Sequence, residues 1–151
     1  GAAYAHAGRV LSSTTGEFGE IGHTIVDPAS RKRCQCGLLG CLETEASLWA
    51  LLPRIRRTHP EVRDFDQELT ELLGARAILA FPPFRRALKY LTLGLVNMHR
   101  LFNPDRILFI GPVTENREVF ERLAGAFRRR LPDAHTSREK TDRSENRPRC
   151  A

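Results

Sequence analysis

No apolar run in these 151 residues approaches the length of about 18 residues that a membrane-spanning helix requires. The first residues hold no basic stretch leading into an apolar one, so no secretory leader is expected. Cysteine is scarce, four residues in all, too few for a disulfide-stapled scaffold of this length. Aromatic residues make up only 7% and do not alternate with basic ones, which argues against a surface that stacks bases. The net charge of +6 therefore does not read as a nucleic-acid footprint. The arginines of 54–57, 85–86 and 128–130 fall on or beside amphipathic segments, where solvated helix faces account for them. With 41% hydrophobic and 28% charged residues, the composition is that of a globular chain with room for one ordinary domain.

What is present is concentrated between Gly19 and Glu43. Gly19-Glu20-Ile21-Gly22-His23-Thr24-Ile25-Val26-Asp27-Pro28 is followed by a basic loop and then by Cys34-Gln35-Cys36-Gly37-Leu38-Leu39-Gly40-Cys41-Leu42-Glu43. His23, Cys34, Cys36 and Cys41 supply one imidazole and three thiolates, the donor set of a closed tetrahedral zinc site. Gly37 and Gly40 stand where the backbone must fold back between the second and third cysteine, a place for positive φ. Buried thiols or a disulfide pair are the alternative, but Cys-x-Cys is cramped for a mutual disulfide. Cys150, in a polar tail far from the cluster, is expected to be a free thiol. Thiolate ligands point to a reducing compartment, the cytoplasm.

These residues resemble the signature of the ROK family of repressors, open reading frames and sugar kinases, over Glu17 to about Ser47. Leu93 to Gly111 resembles the same family's long helix, Asn-Pro turn and following strand. The resemblance implies an α/β fold, part of an actin-like (ribonuclease H-like) ATPase lobe with a zinc-binding loop and several helices. It assigns residues 1–131 to the C-terminal lobe, without an N-terminal lobe. It also assigns sugar hydroxyl contacts to Glu20, His23 and Glu43. Physically, zinc on one ring nitrogen of His23 fixes its tautomer and leaves the other for a hydroxyl, while two carboxylates accept hydrogen bonds from a polyol. The zinc is then structural. Alone, Glu43 reads as a helix-start carboxylate and Glu20 as a solvated loop acid.

The family's kinases carry an Asp-x-Gly-x-Thr phosphate loop and an Asn-Asp pair holding the catalytic aspartate. Neither occurs here, and Pro112 follows Gly111 where a second glycine is usual, so no catalytic residue is assigned. His23 to Pro28 and Leu101 to Asp105 look more like the xylose and N-acetylglucosamine repressor branch. The expected function is sugar sensing for a transcriptional repressor, with DNA bound only through an N-terminal helix-turn-helix absent here. The alternatives are the C-terminal lobe of an ATP-dependent sugar kinase such as glucokinase, or a truncated fragment without activity. The resemblance leaves a homo-oligomer open and implies no membrane partner.

The remaining pattern gives the elements. Arg9–Leu11 and Thr24–Val26 read as short strands. Leu42, Ala46, Trp49, Leu52 and Ile55 recur at helical spacing, with Pro53 kinking or ending that helix. Val62, Phe65, Leu69, Leu72 and Leu73 mark a helix stopped by Gly74. Pro82-Pro83 breaks the chain, and a core helix from Phe84 to Leu101 should end before Asn103-Pro104. Arg106–Ile110 reads as a buried strand, and Val119, Phe120, Leu123, Phe127 and Leu131 as a last helix. Asn97 and His99, on the long helix, are expected to be structural or surface residues. Residues 132–151 contain no Val, Ile, Leu, Met or aromatic residue and are expected to be disordered.

Overall fold

Turn chemistry decides where most elements begin. The computed structural model describes residues 1–60, 62, 76–111, 116–131 and 136–138. Strands β1 (Ala5–His6) and β2 (Arg9–Val10) form an antiparallel hairpin. Its two turn residues, Ala7 and Gly8, both have positive φ, 51° and 75°, the pattern of a two-residue hairpin turn that matches strand twist. Thr24–Val26 does not form the expected strand. A 3-10 turn at Ile21–His23 precedes it, and Ile25 makes a single antiparallel bridge to Cys41.

The apolar stripe from Leu42 to Ile55 is two helices, not one: α1 (Leu42–Ala46) and α2 (Leu48–Ile55). Ser47 separates them with an extended backbone (φ −69°, ψ 155°), and its hydroxyl caps α2 by accepting from the Ala50 N–H at 3.2 Å. A serine capping its own helix competes with helix continuation, which spacing alone does not reveal. Pro53 lies inside α2, which runs past it to Ile55.

Pro82 and Pro83 open the longest helix, α3 (Pro82–Phe102), instead of merely breaking the chain. Proline's fixed φ suits the first turn, where its missing N–H has no helical partner to lose. The helix ends as expected, with Asn103 left-handed (φ 42°, ψ 55°) ahead of Pro104. Strand β3 (Ile107–Phe109) follows, then α4 (Arg117–Arg128), capped by the Asn116 side chain accepting from the N–H groups of Glu118 and Val119. Strand β4 (Thr136–Arg138), within the segment expected to be disordered, pairs in parallel with β3. Apart from the buried Val62, the expected helix of Val62–Leu73, the proline at 112, Cys150 and the rest of the tail lie outside the described residues.

α3 is the axis of the core. On one flank Leu51, Ile55, Ile78, Phe84, Ala87 and Val119 pack together; on the other Leu95, Ile107, Leu123, Phe127 and Leu131 do. Gly94 lets α3 approach α1, since a Cβ there would stand 2.6 Å from Leu42 Cδ2. β3 is buried at Ile107 only. Leu108 and Ile110 are 53% and 66% exposed, so the strand expected to be buried presents one apolar face outward. Asn97 is exposed, and the half-buried His99 ring meets Phe127 edge-on at 5.8 Å.

Candidate metal centre and sugar-contact residues

The site is assembled from three backbone pieces. The 3-10 turn at Ile21–His23 is closed by the His23 N–H donating to Glu20 O at 3.1 Å, which presents His23 above the start of α1. A tight knuckle follows, where Cys34 N–H donates to Leu38 O (2.8 Å), Gly37 N–H donates to Cys34 O (3.0 Å), and Arg33 bridges Leu39. Cys41 is the N-cap of α1, and its carbonyl accepts the Thr44 hydroxyl at 2.9 Å. The expected positive φ values are found, 89° at Gly37 and 73° at Gly40. Gly40 is doubly required, because a Cβ would lie 2.0 Å from the Asp27 carbonyl oxygen.

These pieces bring His23, Cys34, Cys36 and Cys41 together with their donor atoms all within 4.8 Å of one another. Cys34 Sγ lies 3.4 Å from His23 Nδ1, and Cys36 Sγ lies 3.6 Å from Cys41 Sγ. Tetrahedral zinc, with bonds of about 2.3 Å to sulfur and about 2.0–2.1 Å to nitrogen, sets donors about 3.5–3.8 Å apart. The cluster therefore fits such an ion with small adjustments. A disulfide, at about 2.05 Å, does not fit this spacing, and the three thiols are free. Cys34 and Cys41 are buried and Cys36 is exposed. The Leu38 N–H holds the Cys36 thiol below its ordinary pKa, whereas burial, with Cys36 beside it, pushes Cys41 up to about 12. Two of the three thiols are thus packed away from water beside a third that is the easiest to ionise.

The three residues assigned to sugar contact meet around one imidazole. His23 Nδ1 is 3.2 Å from Glu43 Oε2, and His23 Nε2 is 4.0 Å from Glu20 Oε2. Nδ1 faces the thiols, so Nε2 is the nitrogen left for a ligand. Glu43 also accepts from the indole N–H of Trp49, through Oε1 at 3.3 Å, and its Oε2 lies 3.5 Å from Cys34 Sγ.

Sequence reasoning missed what holds the knuckle down. The Glu45 side chain is fully buried, pairs with Lys32 Nζ at 2.5 Å and accepts the Ser30 hydroxyl at 2.6 Å. Lys32 also donates to Thr44 O at 3.3 Å. On the far side, Asp27 Oδ2 accepts from the Tyr90 hydroxyl at 2.5 Å and from Arg86 at 3.1 Å, tying the knuckle's base to α3. The Tyr90 hydrogen bond, reinforced by Arg86, holds the Asp27 carboxyl below its usual range. A lysine and a glutamate 13 residues apart carry no periodic signal, and an Asp-Pro turn reads locally as turn chemistry only. Trp49 shares the helical spacing of the apolar stripe, yet it is 42% exposed.

An α/β chain with a histidine-and-three-cysteine knuckle at the start of a helix is the class that fold and site define. The profile of the ROK family matches residues 1–145. The N-acetylglucosamine repressor of Escherichia coli O6:H1 is 30% identical over 127 residues, which cover 79% of this chain and 31% of the repressor. A glucokinase of Halalkalibacterium halodurans is 30% identical over 122 residues, 72% of this chain and 37% of that kinase. Among solved structures, a ROK hexokinase from Thermus thermophilus superposes with a TM-score of 0.68 at 28% identity, over 90% of this chain and 47% of that one. The chain belongs to the ROK family. It spans about a third of the length of these two curated relatives, one a repressor and one a sugar kinase. Among the described residues no helix is long and apolar enough to cross a membrane.

Proposed function

We propose that this chain is the zinc-bearing, sugar-binding part of a sugar-responsive transcriptional repressor of the ROK family. The observation that carries the reading is the gathering of Glu20 and Glu43 around His23, the residue that also joins the cysteine cluster. His23, Cys34, Cys36 and Cys41 would hold zinc. With four protein donors the ion has no open position, so it supplies orientation and folding energy rather than an activated water. His23 Nε2, Glu20 and Glu43 then bind the sugar: the carboxylates accept from hydroxyls and the imidazole exchanges a hydrogen bond with a third. Residues 1–131, together with strand β4 paired to β3, belong to this lobe. DNA contact belongs to a helix-turn-helix outside these residues, and the working compartment is the reducing cytoplasm. No residue is assigned a catalytic role.

Calorimetric titration of the zinc-loaded protein with N-acetyl-D-glucosamine, D-glucose and D-xylose tests the reading. Glu43→Gln keeps the shape and removes a charge-assisted acceptor, which costs about 1.5–3 kcal/mol of sugar affinity with zinc retained. Unchanged affinity would make Glu43 a helix-start carboxylate only.

The second reading, the corresponding lobe of a sugar kinase, is favoured by the match to glucokinase and to the hexokinase structure. Phosphorylation of a hexose by this protein with ATP and magnesium, lost in Glu20→Ala, would select it.

A further inference from the structure

We infer that Trp49 is a positioning residue, which sets the orientation of Glu43 for the sugar once the metal site is filled. The inference rests on the sugar-contact reading and deepens it. Trp49 is the chain's only tryptophan, and it stands at the start of α2 with its indole N–H donating to Glu43 Oε1 at 3.3 Å.

The helix break creates this contact. In one continuous α-helix, residues six apart are turned by about 120° and separated by about 9 Å along the axis, too far to meet. The extended backbone at Ser47 turns α2 out of line with α1, and the two side chains come within hydrogen-bond distance.

Metal loading makes that bond decisive. Among the described residues, three side chains face the Glu43 carboxylate: His23 through Nδ1, Cys34 through Sγ, and Trp49 through Nε1. As metal ligands, a His23 Nδ1 gives its lone pair to the ion and a Cys34 thiolate carries no proton, so neither can donate to Glu43. The thiolate, 3.5 Å from Oε2, then repels the carboxylate. The indole N–H is the donor that remains, and it holds Oε1. An exposed indole is otherwise a poor use of a large apolar surface, and the polar handle accounts for it.

Two measurements on the zinc-loaded protein test this. In the first, the indole N–H resonance of the single tryptophan is recorded in wild type and in Glu43→Gln. A carboxylate acceptor shifts that proton downfield, so the substitution moves it upfield; an unmoved resonance overturns the inference. In the second, Trp49→Phe, which keeps a ring and removes the donor, is titrated with N-acetyl-D-glucosamine, D-glucose and D-xylose. Zinc content and thermal midpoint stay at wild-type values, and affinity for the sugar that binds falls about tenfold. The same substitution in the Glu43→Gln background costs much less, because the two residues act as a unit. Unchanged affinity in Trp49→Phe beside a weakened Glu43→Gln overturns the inference and leaves the sugar reading standing. Unchanged affinity in both overturns the sugar reading itself. Loss of zinc in Trp49→Phe would make the indole a structural support and also overturns the inference.

Discussion

Three thiols and one imidazole do the most work per atom in this chain. As the proposed metal ligands, each would lose its proton or offer a lone pair, and two of the thiols are buried where ionisation without a metal is costly. Purified protein should therefore carry about one zinc per chain by elemental analysis, and Cys36→Ser or Cys41→Ser should lose it together with much of the fold. Stoichiometric metal in a Cys34/Cys36/Cys41 triple serine variant would rule out the assignment. Asp27 carries a separate, pH-dependent contribution. Tyr90 and Arg86 depress its carboxyl pKa, so the folded chain binds fewer protons than the unfolded one. The resulting stability is fully present above the unfolded value of about 4 and is lost as pH falls through the lower folded pKa. Tyr90→Phe should accordingly destabilise the protein at pH 7 and by progressively less below about pH 4. A deficit independent of pH in urea titrations would mean that Tyr90 contributes by packing alone.

At the level of elements, the sequence was most legible where one residue type has one physical use. Asn103-Pro104 ended the long helix, and Gly37 and Gly40 adopted positive φ. The last helix buried Val119, Phe120, Leu123 and Phe127 as its spacing required. It was least legible where two uses compete. Ser47 caps a new helix inside an unbroken apolar stripe, Pro82-Pro83 starts a helix where breaking was expected, and the Thr24–Val26 segment supplies one bridge instead of a strand. The Glu45–Lys32–Ser30 anchor was invisible because it joins residues distant in sequence and only burial reveals it. Removing Lys32 leaves Glu45 buried with one neutral donor, so Lys32→Ala should destabilise the fold by about 3 kcal/mol in chemical denaturation. A change below about 0.5 kcal/mol would place this pair with ordinary surface salt bridges.

For the whole molecule, the motif identified the family because ligand type, glycine placement and spacing all serve one metal geometry, and the profile match over 1–145 bears that out. The donor atoms of His23, Cys34, Cys36 and Cys41 lie within 4.8 Å of one another, and Glu20, His23 and Glu43 lie together. The choice between repressor and kinase was not legible in the same way, because relatives of both kinds match this chain at the same identity and over similar lengths. What unites the two readings is a sugar site whose geometry depends on a metal. Sugar titration of the same preparation before and after zinc removal tests that dependence most directly. The account predicts that N-acetyl-D-glucosamine, D-glucose or D-xylose binds the zinc-loaded protein, that binding disappears when zinc is stripped, and that it returns when zinc is restored. Full sugar affinity in the zinc-free protein would contradict it.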